Sequence, residues 1–262
     1  MKDNEKELLV KELYEKYPYP LRKVKNSEQI LSYVDWLSNI FSANRSFWKN
    51  KSILEFGCGT GELANALALC DAKVDAIDFS SASIKEAQKL SKRFSNKKKV
   101  SFSEQNILSF SSIKNKKTEK YDVVIALGSL HHTINARKGF EIMCEHCKDN
   151  GLVIIGLYNK YSRARHRIKR IILWILAGKN IEARIKIGKK LFSIKENSSR
   201  LADKYGQVHE SYHSVREVLQ WFREEKIVFV GSKPKFVFPV IDEIKWLFKK
   251  QNAFFVMIGK KS

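Results

Sequence analysis

Residues 52–63 read S-I-L-E-F-G-C-G-T-G-E-L, and the rest of the chain is organised around them. An apolar run from Ile53 to Phe56, interrupted only by Glu55, stops at Gly57, Gly59 and Gly61; Glu62, Leu63, Ala64, Ala66 and Leu67 then follow with helical character. This succession predicts a strand, a tight turn and a helix start. Glycines are needed where a chain turns sharply or a ligand must touch backbone, because a Cβ would clash or forbid positive φ. Dinucleotide-binding turns space their glycines G-x-G-x-x-G so that a pyrophosphate meets the helix N-terminus. Here the third glycine comes one residue early and Glu62 stands where the last is wanted, so a pyrophosphate would meet a repelling carboxylate.

The pattern L-E-F-G-C-G-T-G-E instead resembles the first motif of the class I S-adenosylmethionine-dependent methyltransferases. The resemblance implies S-adenosylmethionine as cofactor, its ammonium and sulfonium near carboxylate and carbonyl groups, with Glu55, Gly57, Cys58, Gly59 and Gly61 around its methionine end. Residues 72–79 (A-K-V-D-A-I-D-F) read as a second strand ending in Asp78, 17 residues past Gly61. An acid there can accept both ribose hydroxyls of an adenosine ligand, with Phe79 next to it. A helix over 83–94 and a short third strand over 100–102 lead to Asn106 and Ile107. Many family members carry Asp in place of Asn106; the amide keeps an acceptor oxygen for the adenine amino group.

Residues 121–127 (Y-D-V-V-I-A-L) predict the fourth strand, which brings Leu127 and the following G-S-L-H-H-T to the carboxyl edge of the sheet. In a doubly wound sheet the ligand sits beyond strands one and four, at the switch point. The segment is similar to the D-V-V-x-x-x-G-V-L-H-H of many small-molecule methyltransferases. It makes His132, helped by His131, the candidate base, since imidazole can take a hydroxyl proton near neutral pH. Each histidine can equally cap a helix or bond backbone. Residues 151–158 (G-L-V-I-I-G-L-Y) predict a buried fifth strand, and the continuation through Arg163 is similar to a G-L-Y-S-x-x-A-R segment in part of the family. Tyr158 and Arg163 are thereby candidate substrate contacts.

The chain then leaves the core fold. Between residues 159 and 200 there are 13 Lys or Arg against two acids, with Ile168, Ile171, Ile172 and Ile175 at helical spacing. Such a basic amphipathic insert could lie on an anionic membrane face, grip RNA phosphates, or pack its isoleucines over the cofactor as a cap; the cap is the favoured expectation. Residues 203–213 (D-K-Y-G-Q-V-H-E-S-Y-H) resemble a D-x-Y-x-x-P-x-E-x-x-H segment of part of the family, with Val208 in place of its proline. His209 and Tyr212 are candidate substrate contacts there. A capping box from Ser214 to Glu217 starts the next helix. Strands over 227–230 and 253–258 complete the chain, ahead of a basic tail. At the other end, a helix over 3–16, the Y-P-Y-P of residues 17–20 and a helix begun by Asn26 and Gln29 can act as a lid, with Tyr19 a further substrate candidate. Residues 114–120 read as a solvated loop.

The expected architecture is α/β: a doubly wound, seven-stranded Rossmann-like sheet ordered 3-2-1-4-5-7-6 with the last strand antiparallel, as the resemblance implies. The helical lid covers residues 1–50, and the methyltransferase domain 51–262, with the cap insert at 159–212. With 262 residues and 44% hydrophobic composition the chain can fill one such core. It holds no apolar run long enough to span a bilayer, and its charged start offers no secretory signal, so a cytoplasmic protein is expected. Cys144 and Cys147 (C-E-H-C) lack the second pair that a four-ligand zinc needs; the expectation is a core-facing pair and no metal. The formal net charge of +21 leaves an anionic membrane surface or RNA open as partners of the insert.

The expected reaction is transfer of a methyl group to an oxygen or carbon of a small or lipid-like metabolite. The alternative is an RNA methyltransferase that binds phosphates through the insert. Amino-group DNA methyltransferases carry an N-P-P-Y-type motif after strand four, where this chain has A-L-G-S, and five-methylcytosine RNA enzymes need a cysteine there.

Overall fold

A computed structural model of the chain describes residues 2–94, 99–110, 120–192, 198–248 and 253–262. Residues 114–119 of the expected loop lie outside that set. In chain order the described elements begin with α1 (Asp3–Lys16), α2 (Ser27–Ser38), β1 (Ser52–Phe56), α3 (Glu62–Leu69), β2 (Lys73–Asp78) and α4 (Ser81–Arg93). They continue with β3 (Val100–Glu104), β4 (Tyr121–Leu127), α5 (Ala136–Glu145) and β5 (Cys147–Tyr158). The insert contributes α6 (Ala164–Ala177), α7 (Ile181–Phe192) and α8 (Ser198–Leu201), and the chain closes with α9 (Val215–Glu224), β6 (Ile227–Lys233), α10 (Pro239–Leu247) and β7 (Phe254–Lys261).

The strands form one sheet in the order β3-β2-β1-β4-β5-β7-β6. The first five pair in parallel, while β7 runs antiparallel to both β5 and β6. Both faces are covered, which is why the central strands read as continuous apolar runs. Leu54 and Phe56 of β1 enter a core with Phe140 and Phe222, whereas Ile53 enters the opposite core with Leu37 and Leu67. A carboxylate inside such a run, Glu55, therefore marks a place where the strand serves something other than packing.

The C-terminal strands are longer than the periodicity predicted. Lys260 continues β7 because both neighbours supply ladder partners, Lys261 pairs with Ile227 of β6, and the Lys261 ammonium donates to the carbonyls of Cys144 (2.7 Å) and Cys147 (3.2 Å). Cys147 opens β5 and Cys144 lies in the last turn of α5; both are buried, and burial pushes the Cys147 thiol up to about 11.

The isoleucines of α6 do not pack inward as the cap expectation has them. Glu210, wholly enclosed, draws Arg163 (2.7 Å) and Arg170 inward. Arg170 also donates to the carbonyl of Gln207 at 2.9 Å, which Arg184, 1% exposed, holds as well at 2.8 Å. These arginines and Leu173 take the inner seam of the insert, and the isoleucines of α6 are left facing outward. Arg163, Arg170 and Arg184, three of the basic residues of this stretch, are internal supports, and no isoleucine of α6 lines the cavity at the glycine turn.

Candidate active site

Beyond the carboxyl ends of β1, β2 and β4 lies a cavity of about 810 Å³, within the range of small-molecule sites. Its floor is the glycine turn, where Gly57, Gly59 and Gly61 have φ of 69°, 54° and 79°. Side chains are excluded at this turn on steric grounds too. A Cβ on Gly57 would stand 2.2 Å from that of Ser129, and one on Gly59 would stand 2.2 Å from the Tyr19 carbonyl oxygen. Gly61 caps α3 and packs under Ala87 without lining the cavity.

Three carboxylates converge on this floor. Burial, reinforced by Glu62 and Asp78, pushes the Glu55 carboxyl up to about 8, and its Oε2 has no hydrogen-bond partner among the described residues. Asp78 accepts from the backbone N–H of Gly59 (2.8 Å) and of Ser80 (2.9 Å), and burial raises its carboxyl above the ordinary range. Glu62 accepts from the Arg22 N–H (3.1 Å) and the Thr60 hydroxyl (2.7 Å). A buried carboxylate oxygen left without a donor costs free energy that a cationic group can recover. This donor-poor, acid-rich floor fits a ligand whose near end is positive, and it suits S-adenosylmethionine better than a pyrophosphate.

Phe79, Asn106, Ile107, Leu127 and Cys58 line the same cavity. The Asn106 side-chain oxygen accepts from the Leu108 N–H (2.9 Å), while its amide donates to Glu7 (3.1 Å). The adenine contact expected of that oxygen therefore competes with a backbone cap.

The N-terminal segment forms the roof. Glu7, Val10, Lys11 and Tyr14 of α1, with Tyr19, reach the cavity. Glu15 fixes α1 to the start of α4 by accepting from the N–H groups of Ser81 (2.5 Å) and Ala82 (3.1 Å). The extended stretch after α1 is stitched to the glycine turn, Thr60 N–H donating to Tyr19 (3.2 Å) and Leu21 N–H to the Thr60 hydroxyl (3.0 Å).

Of the two adjacent histidines, only His132 lines the cavity. Its Nδ1 faces the His209 carbonyl oxygen at 3.3 Å, which requires a proton on that nitrogen and leaves Nε2 as the acceptor in the neutral ring. Nε2 lies 3.8 Å from Asp203 Oδ1, which in turn accepts from the Tyr14 hydroxyl at 3.0 Å. Burial lowers the His132 pKa and Asp203 opposes that shift; burial raises the Asp203 carboxyl and His132 opposes it. His131 is sealed between His132 and Tyr158, at 4.2 and 4.1 Å between ring centroids, with no hydrogen-bond partner for either ring nitrogen among the described residues. Its share in proton transfer, expected from the sequence, finds no path to the cavity.

Of the expected substrate contacts, Tyr19 and Tyr158 reach the cavity, whereas Arg163, His209 and Tyr212 do not. Arg163 lies over the Tyr158 ring at 3.5 Å and pairs with Glu210; the His209 Nε2 faces the Thr133 carbonyl at 3.0 Å; Tyr212 sits by Arg167. Asp203 and Tyr14 were not singled out in the sequence, although Asp203 opens the quoted D-x-Y-x-x-x-x-E-x-x-H stretch.

A family profile described as "Methyltransferase domain" matches residues 48–222. The ubiquinone biosynthesis O-methyltransferase of Rickettsia canadensis is 34% identical over 113 residues, 43% of this chain and 44% of that protein. Its counterpart in Rickettsia prowazekii is 28% identical over 131 residues, 50% and 49% of the two chains. The chain thus spans about half or less of the length of the curated relatives it matches. Among solved structures, PKMT2 from Rickettsia typhi superposes with a TM-score of 0.66 at 15% identity, over 92% of this chain and 54% of that one. The magnesium protoporphyrin IX methyltransferase of Synechocystis with bound S-adenosylmethionine superposes with a TM-score of 0.59 at 14% identity, over 100% and 98%. With the matched profile, the seven-strand order and the acid-lined glycine turn, the chain belongs to the class I S-adenosylmethionine-dependent methyltransferase family.

Proposed function

We propose that the chain transfers a methyl group from S-adenosylmethionine to a hydroxyl oxygen of a small or lipid-like metabolite, with His132 as the proton acceptor. The observation that carries this reading is that His132 and Asp203 line the cavity together, with the acceptor nitrogen of His132 3.8 Å from the Asp203 carboxylate. S-Adenosylmethionine, when bound, supplies an electrophilic methyl group. Glu55 and the glycine-turn backbone would hold its ammonium end, Asp78 its ribose hydroxyls, and Asn106 and Ile107 its adenine side.

Positioning is the larger part of such catalysis, and the site's own residues supply it. Tyr14, Tyr19, Tyr158 and Phe254 give the cavity aromatic walls that can clamp a flat or unsaturated acceptor. Burial keeps His132 neutral and ready to take a proton. As the acceptor hydroxyl loses its proton, Asp203 stabilises the imidazolium that forms. The O-methyltransferase activity in the names of the Rickettsia relatives supports oxygen over carbon.

The test is to supply the native chain with methyl-labelled S-adenosylmethionine and a panel of phenols, catechols and hydroxylated lipids, and to identify labelled products by mass spectrometry. An O-methylated product is expected. His132→Ala should keep its affinity for S-adenosylhomocysteine and lose roughly 10²-fold or more in turnover. Unchanged turnover would remove His132 from the chemistry.

A further inference from the structure

The insert's first helix has its amphipathic pattern turned inside out. At about 100° per residue, Arg163, His166, Arg170 and Leu173 share the inner side of α6, and Ile168, Ile171, Ile172 and Ile175 gather in an arc of about 100° on the opposite side. Those four are 58%, 58%, 38% and 75% exposed. The outward pole of an ordinary surface helix carries charge; here it carries isoleucine. The charges stand beside it, with exposed Arg165 and Arg167 on the two flanks of the arc and exposed Lys186, Lys189 and Lys190 on the neighbouring α7.

From this arrangement we infer that α6 docks in the interfacial plane of an anionic lipid bilayer. Its isoleucines would enter the boundary of the acyl chains while the flanking arginines and the lysines of α7 meet lipid phosphates. The order of groups decides against RNA. Phosphate recognition needs the basic side chains at the contact pole, and an isoleucine ridge there would hold the backbone of a nucleic acid away. Charge complementarity adds to the apolar term, because residues 159–200 carry 13 basic residues, of which Arg163, Arg170 and Arg184 are turned inward, against two acids within a chain of net charge +21.

A second apolar projection hangs from the same strand end. Val237, Phe238 and Phe248, at either end of α10, are 78%, 64% and 76% exposed. Glu243 of α10 accepts from the Asn159 amide at 2.6 Å, directly after β5 and before the chain enters α6. Aromatic and aliphatic side chains of this kind are suited to a second anchor in the interface. No helix among the described residues is long and apolar enough to cross a membrane, so the contact is peripheral.

Docking goes beyond the methyl-transfer reading and is tested apart from it. The full chain is floated with vesicles of phosphatidylglycerol and phosphatidylcholine, with vesicles of phosphatidylcholine alone, and offered a fluorescent single-stranded RNA, each at low and high salt. Binding to the anionic vesicles is expected, weakened by salt and by omission of phosphatidylglycerol. Ile171→Glu with Ile175→Glu should lower vesicle binding more than tenfold, since each buried isoleucine accounts for roughly that factor. Arg165→Gln with Arg167→Gln should reduce the anionic preference while retaining the isoleucines. Titration with S-adenosylhomocysteine verifies that each variant keeps its cavity, and it keeps a failure of docking distinct from a failure of cofactor binding. Absence of vesicle binding by the native chain, equal flotation of the isoleucine variant, or RNA binding that survives that variant without vesicle binding would each overturn the inference.

Discussion

Glu55→Gln tests the proposal that the Glu55 carboxylate receives the ammonium of the cofactor. In the free protein burial, Glu62 and Asp78 hold the Glu55 carboxyl up to about 8, and its Oε2 lacks a donor. If the ligand ammonium is received by the ionised carboxylate, only that form is competent to bind it. Its fraction is about 1 in 100 at pH 6 and about one half at pH 8, so apparent affinity should rise roughly 50-fold over this window and level off above it. The sign follows from the direction of the shift: a raised acid is mostly protonated below its folded pKa, and binding must then expel the proton. Calorimetric titration with S-adenosylhomocysteine from pH 6 to 8, in two buffers of different ionisation enthalpy, reads both the affinity and the proton released. The glutamine variant keeps the shape without the charge. It should bind about tenfold more weakly at pH 8 and show only the shallow dependence set by the ligand's own amine. Equal pH slopes in the two proteins would refute the assignment of Glu55 to the ammonium.

Two further substitutions test other parts of the frame. Asp78→Ala should weaken S-adenosylhomocysteine binding by about tenfold or more, through the loss of hydrogen bonds to a charged acceptor, and calorimetry at constant pH measures it. Glu210→Gln should destabilise the fold by about 3 kcal/mol or more, because Arg163 and Arg170 would remain buried beside a neutral group; urea unfolding reads the change. Burial alone would raise the Glu210 carboxyl, but Arg170 and Arg163 bring it to about 2. A depressed acid contributes stability that is present above its unfolded pKa and lost as pH falls through the folded one. The stability difference between the native chain and the glutamine variant should therefore shrink from about pH 4.5 down to about pH 2. A difference that stays constant over that range would contradict the role given to the cluster.

The glycine turn and the acid at the end of β2 were legible because their determinants are local. Gly57, Gly59 and Gly61 must turn the chain whatever else happens, and Asp78 follows at the next strand end. The sheet order followed from the same motif, and the capping box at Ser214 appears where the sequence put it. The opposite wall was hidden because chain segments far apart in sequence build it. Tyr14 and Asp203 meet across 189 positions, and no spacing rule links a helix at residue 14 to a short helical segment at residue 203. The adjacent histidines were inseparable by pattern, since a single helical turn sends one ring to the cavity and the other into the protein. The structural role of Arg163 and Arg170 was hidden because their partner, Glu210, comes 47 and 40 residues later and has its side chain wholly enclosed. Once that ion cluster claims the inner face, the isoleucines have nowhere to go but outward.

The most direct test of the whole account is calorimetric titration of the purified chain with S-adenosylhomocysteine and, separately, with NAD. The acid-lined glycine turn predicts one site of micromolar affinity for the first and none for the second. Binding of NAD without S-adenosylhomocysteine would contradict it, because a pyrophosphate would then be seated beside Glu62 and Asp78, where the structure offers only repulsion.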